Sequence, residues 1–112
     1  DIARILAAAK PVVWRGAGEL LQIPWSAATV GTWLVVDLWS GYGGLLFALL
    51  ALGVRVIALC VESDDVASAC CAKSFPDAVH FPDVARVTKN MFSDIVHRRD
   101  LAGIIVGGGS LC

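Results

Sequence analysis

The sequence predicts the α/β class, a parallel sheet with helices packed on both faces. Three observations carry that expectation. Short apolar runs rich in β-branched residues recur at 33–36, 54–61, 79–81 and 103–106. Helix-forming stretches with capping residues lie between them. The runs are mostly apolar rather than alternating, as expected for strands buried on both faces of a parallel sheet.

Each element follows from local chemistry. Residues 2–10 are alanine-rich and helix-prone, and Pro11 ends that helix. Gly16, Gly18, Pro24 and Gly31 then make a loop-like stretch, in which Trp14 and Trp25 are expected to pack against the domain behind them. Residues 1–32 thus read as a lead-in segment, and residues 33–112 as the domain. Residues 33–36 form the first strand, ending at Asp37. Gly41, Gly43 and Gly44 make a turn into a helix over 45–52, closed by Gly53. Residues 54–61 form the second strand. Ser63 or Asp64 caps a helix running to about Lys73, with Pro76 beyond its end. Residues 79–81 form a third strand leading to Asp83. Thr88 caps a helix expected to reach His97, and residues 103–106 form the fourth strand. Strand–helix alternation at this spacing implies right-handed crossovers. The expected fold is a Rossmann-like doubly wound parallel sheet, truncated after the fourth strand.

Composition narrows the class. At 57% hydrophobic and 17% charged, the 112-residue chain has the apolar content of a folded domain and not of a disordered one. Net charge is −1 with Lys and Arg scattered, so this chain by itself carries no electrostatic footprint for nucleic acid. A mean hydropathy of +0.72 raises the membrane question. Two uncharged windows, 20–36 and 38–54, sit at the short limit for a spanning helix, but Asp37 lies between them. Buried strands fit better, and no membrane partner is expected. The start DIARILAAAK has no secretory pattern and no initiator Met, so the chain reads as a piece of something longer. Four cysteines occur, at 60, 70, 71 and 112, without CxxC spacing. Neither His80 nor His97 forms a zinc pattern with them, and no metal is expected. Cys60 and one of the Cys70–Cys71 pair read as small buried hydrophobes in a reducing, intracellular compartment.

Ligands of open parallel sheets bind beyond the carboxyl ends of the strands. The residues there are Asp37-Leu38-Trp39-Ser40-Gly41-Tyr42-Gly43-Gly44, then Glu62, then Asp83, then Gly107-Gly108-Gly109-Ser110-Leu111-Cys112. Glycines let backbone N–H groups approach a ligand at a helix N-terminus. An acid ending the second strand accepts hydrogen bonds from two ribose hydroxyls. An acid after the third strand accepts from an exocyclic amine. Adenosine suits these groups. Taken singly, each has a plainer reading: a tight turn for the glycines, a first-turn acid for Glu62, a cap for Asp83. A dinucleotide fingerprint GxGxxG would need glycine at Leu46, and no GxxxxGK[ST] phosphate loop is present.

These residues, in this order, resemble the DNA cytosine-5 methyltransferases. DLWSGYGG (37–44) is similar to that family's first motif DLFSGxGG, with Trp39 in place of Phe. Glu62 in VESD resembles the second motif's ribose-binding acid. Phe81-Pro82-Asp83-Val84 resembles the third motif, and GGSLC (108–112) the fourth, GGSPC, which carries the nucleophile. The segment 84–106 is closest to the de novo branch. The resemblance spans 33–112 and implies S-adenosylmethionine as cofactor. It implies that Trp39, Ser40, Gly41, Tyr42, Gly43 and Gly44 line the pocket, that Glu62 holds the ribose, and that Asp83 and Val84 flank the adenine. It further implies that Cys112 is the catalytic nucleophile, adding to C6 of a flipped-out cytosine whose C5 takes the methyl group.

DNA is the implied partner of the full-length enzyme, with contacts mostly outside this chain, in the nucleus if the source is eukaryotic. Leu111 stands where the family has Pro, and the family's later motifs are absent, so this chain alone is not expected to be active. Two alternatives stay open: a non-catalytic remnant that binds only the adenosine cofactor, and an unrelated Rossmann nucleotide-binding module.

Overall fold

The computed structural model describes residues 1–16, 18–20 and 31–108. Four strands, β1 (Thr32–Leu38), β2 (Arg55–Val61), β3 (Val79–Phe81) and β4 (Leu101–Gly108), form an all-parallel sheet in the order β3-β2-β1-β4. This is the Rossmann-like α/β arrangement expected. The chain first winds outward from β1 to β3, then crosses back to place β4 on the other flank of β1, where the order reverses. Both β1 and β2 are central, and β2 is buried at every position from Val56 to Val61.

The period-two alternation of the strands divides the core into two layers. On one face Val35, Val56, Ala58 and Cys60 pack against Leu46 and Leu50 of α2 (Gly44–Ala51) and against Cys71 and Phe75 of α3 (Asp65–Ser74) and its C-cap. Trp14 covers this layer as expected, edge-on to Phe47 with centroids 5.3 Å apart and 5.5 Å from Phe75. Trp25 lies outside the described residues. On the other face Leu34, Val36, Ile57, Leu59 and Val61 pack against Leu6 of α1 (Ile2–Ala7), Met91 and Ile95.

The N-terminal segment is tied to both layers. The amide of Val12 donates to Val56 O at 2.7 Å. Arg98 donates from Nη1 to the carbonyls of Ala7 (3.1 Å) and Ala9 (2.8 Å), while its Nε and Nη2 form a two-pronged pair with Asp100. That pair holds the Arg98 guanidinium up from its ordinary value and the Asp100 carboxyl down.

Helix capping follows the sequence at α3, where Asp64 Oδ2 accepts from the Ala67 amide at 2.8 Å. Short 3₁₀ turns occur at Val84–Arg86, Lys89–Phe92 and Ile95–His97, and the last two replace the helix expected over 88–97. Thr88 does begin the second turn, but the bonds run three residues back, as from the Met91 amide to Thr88 O and from His97 to Asp94 O. The physical reason is local competition. Ser93 Oγ donates to Asn90 O at 2.9 Å, and short polar side chains of this kind divert backbone groups from an α-helical ladder.

Beside β4 the second face opens into an apolar groove of about 390 Å³ lined by Leu34, Val36, Leu38, Val87, Phe92, Ile104 and Val106. Among the described residues no helix is long and apolar enough to cross a membrane.

Candidate functional site

Because all four strands are parallel, their carboxyl ends share one edge of the sheet. Strand β1 leaves through Trp39, whose φ of +55° is left-handed, a rare conformation for so bulky a residue. The chain then turns through Gly41 and Gly43 (φ +57° and +93°) into α2. Three hydrogen bonds hold this loop: Ser40 N to Val61 O, Gly43 N to Ser40 O, and Gly41 N to Glu62 Oε1, the last at 2.8 Å. The second oxygen of Glu62 accepts from the Asp64 amide at 3.0 Å, and the Glu62 amide donates to Phe81 O at 3.0 Å. One residue therefore links the ends of β1, β2 and β3 and the start of α3.

The glycines differ in purpose. A Cβ on Gly43 would lie 2.6 Å from the Phe75 ring and 3.1 Å from Cys71 Sγ, so this glycine lets the loop close onto α3. A Cβ on Gly41 or Gly44 would meet nothing within 4 Å, so these two line open space above the loop. Gly43 caps α2 without a side-chain hydrogen bond, which leaves the helix's first-turn amides with no side-chain partner at the cap. At the end of β4 a Cβ on Gly108 would lie 2.5 Å from Leu38 O. Close approach of β4 to the end of β1 thus requires glycine there.

The sequence-predicted site residues are distributed as follows. Trp39, Ser40, Gly41, Tyr42, Gly43 and Gly44 form one loop, and Glu62 is bonded to it. Tyr42 is exposed and Trp39 half-buried. Ser40 is buried, and its Oγ has no hydrogen-bond partner among the described residues. Asp83 is exposed and caps a 3₁₀ turn, with Oδ1 accepting from the Ala85 amide at 2.9 Å, while Val84 packs at the margin of the second core layer. Cys112 lies outside the described residues.

Two features were not anticipated. Asp37, 2% exposed, carries a carboxylate oxygen with no hydrogen-bond partner among the described residues. Burial and then the charge of Glu62 push its carboxyl up to about 6. Beside it, Cys60, Cys71 and His80 bring their ligand atoms within 4.8 Å of one another. The interaction between the two thiols, and then burial, pushes Cys60 up, while the same interaction holds Cys71 below the ordinary thiol range against the opposing effect of burial. Cys60 and Cys71 are buried and Cys70 is exposed, as expected from their positions.

Fold and site together define a Rossmann-like α/β module with a glycine loop and an acidic staple at its strand ends. No family model matches this sequence, and no curated protein or solved structure matches it significantly.

Proposed function

We propose that this chain is the cofactor-binding part of a DNA cytosine-5 methyltransferase and that it binds S-adenosylmethionine across the ends of β1, β2 and β3. The observation that carries the proposal is the hydrogen bond from the Gly41 amide to Glu62. It joins the first-motif glycines to the second-strand acid, the two groups an adenosine ligand requires together. The open space over Gly41 and Gly44 fits a ligand lying on the loop.

S-adenosylmethionine supplies the electrophilic methyl group in this chemistry. The residues of this chain bind and orient. Each Glu62 oxygen retains a lone pair beyond its backbone bond and can accept from a ribose hydroxyl. Asp83 stands at the end of β3 to accept from the adenine amine, beside Val84. Trp39 offers a ring to the adenine, and the Ser40–Gly44 backbone meets the amino-acid end. Cys112, nucleophile by position, follows β4. Its thiolate would add to C6 of cytosine and make C5 nucleophilic toward the methyl group of bound S-adenosylmethionine, which would leave as the neutral thioether, and loss of the C5 proton would then expel the thiolate. In the family this chain resembles, DNA contacts and acid catalysis come from other motifs, so transfer by this chain alone is not expected.

The dinucleotide alternative is disfavoured at Leu46. It occupies the third glycine position of that fingerprint and is fully buried, so a side chain fills the space where close backbone packing is needed. Calorimetric titration with S-adenosylmethionine and with NAD separates the readings. Binding of the first with no NAD heat is expected, and tight NAD binding overturns the proposal. A methyl-transfer assay on duplex DNA, run beside Leu111→Pro, is expected to show no product. Measurable transfer would refute the inactivity of the isolated chain.

A further inference from the structure

The geometry points to a zinc-class metal site formed by the buried Cys60 and Cys71 and the half-buried His80, beneath the glycine loop. Strand pairing builds it. Cys60 on β2 is the register partner of His80 on β3 and, on its other side, of Asp37 on β1. The three side chains thereby form a row across the sheet on the face that α3 covers, and α3 lowers Cys71 onto that row.

The donor set and its spacing suit a soft divalent ion. Two thiolates and one imidazole favour zinc over the hard cations, which prefer oxygen. Ideal tetrahedral coordination, with Zn–S near 2.3 Å and Zn–N near 2.0 Å, puts ligand atoms about 3.6 to 3.8 Å apart. One ligand atom of each residue, for His80 one of its two ring nitrogens, lies within 4.8 Å of the others, so closure takes shifts of about 1 Å together with rotation of the imidazole to present Nδ1. His80 is prepared for the role. Its Nε2 is 3.2 Å from Phe75 O, an acceptor only, so that nitrogen carries the proton and Nδ1 holds the free lone pair. A backbone carbonyl fixing the tautomer in this way is the usual outer partner of a metal-bound histidine.

Asp37 supplies an independent sign. One of its carboxylate oxygens is buried, on the register neighbour of Cys60, with no hydrogen-bond partner among the described residues, and can accept from a water bound to the ion. The thiols bind as thiolates and release their protons to solvent. Three protein ligands leave a fourth position for water. Gly43 approaches Cys71 Sγ closely, so the bound ion would brace the loop from below. The site does not depend on which ligand the loop takes.

The test is zinc titration of the reduced, chelator-stripped chain against a chromophoric competitor. One equivalent is expected to bind to the wild type and equally to Cys70→Ser. Affinity is expected to fall by ~100-fold or more in Cys60→Ala and Cys71→Ala, and by about 10- to 100-fold in His80→Asn. Because a core variant can lose its fold, X-ray absorption at the zinc edge of the wild-type complex gives a second reading. Two sulfur and two nitrogen or oxygen neighbours are expected. Failure to bind one equivalent, loss of binding in Cys70→Ser, or a shell without two sulfurs would overturn the assignment.

Discussion

Substitution of the loop glycines by alanine separates backbone conformation from packing. At Gly43 both oppose a side chain. A φ of +93° costs an L-residue about 1–2 kcal/mol, and a methyl group 2.6 Å from the fully packed Phe75 ring adds about 1–3 kcal/mol of overpacking. Gly43→Ala should therefore destabilise the fold by about 3 kcal/mol. Gly41 has a positive φ of +57° but open surroundings, so Gly41→Ala should cost only about 1 kcal/mol. Gly44 opens α2, also into open space, and alanine there should be neutral or slightly stabilising. Urea unfolding followed by tryptophan fluorescence gives the three values on one scale. If Gly43→Ala falls within about 0.5 kcal/mol of Gly44→Ala, the loop does not close onto Phe75 and Cys71 as described.

Other perturbations probe the rest of the framework. Asp37 has a folded pKa of about 6 against an ordinary 3.8, so in metal-free protein folding favours its protonated form. That contribution is fully present below pH ~3.8 and is lost as pH rises through about 6, a swing of about 3 kcal/mol that Asp37→Asn should remove from the pH–stability curve. Arg98→Ala leaves the Ala7 and Ala9 carbonyls without their shared donor and should cost about 1–2 kcal/mol in urea unfolding, whereas Arg98→Lys should recover only part. Asp64→Ala removes the α3 cap and should cost about 1 kcal/mol in the same assay, with Asp64→Asn close to wild type.

The strands were legible because their chemistry is redundant. Residues 54–61 admit little else than a central strand, and the observed β2 differs from that span by one residue. Strand ends gave the loop and the acid together, since a parallel sheet puts them on one edge whatever the register. Two things depended on information a linear reading lacks. Thr88 and the Met91–Ile95 spacing match an α-helix, yet competition from Ser93 and the span from one sheet edge to the other produced 3₁₀ turns. Cys60, Cys71 and His80 follow no metal-binding spacing along the chain. Their meeting depends on the Cys60–His80 register and on the rotation of α3 about its axis, and neither is written in local pattern.

The central claim is that the β1 loop and the Glu62 staple form one adenosine-ligand site. Amide chemical shifts of the ¹⁵N-labelled chain during titration with S-adenosylmethionine test it most directly. The account predicts saturable shifts confined to Trp39–Gly44, Glu62 and Asp83–Val84, and their loss in a folded Glu62→Ala variant. No saturable shifts, shifts centred on the apolar groove beside β4, or an unchanged response in Glu62→Ala would contradict it.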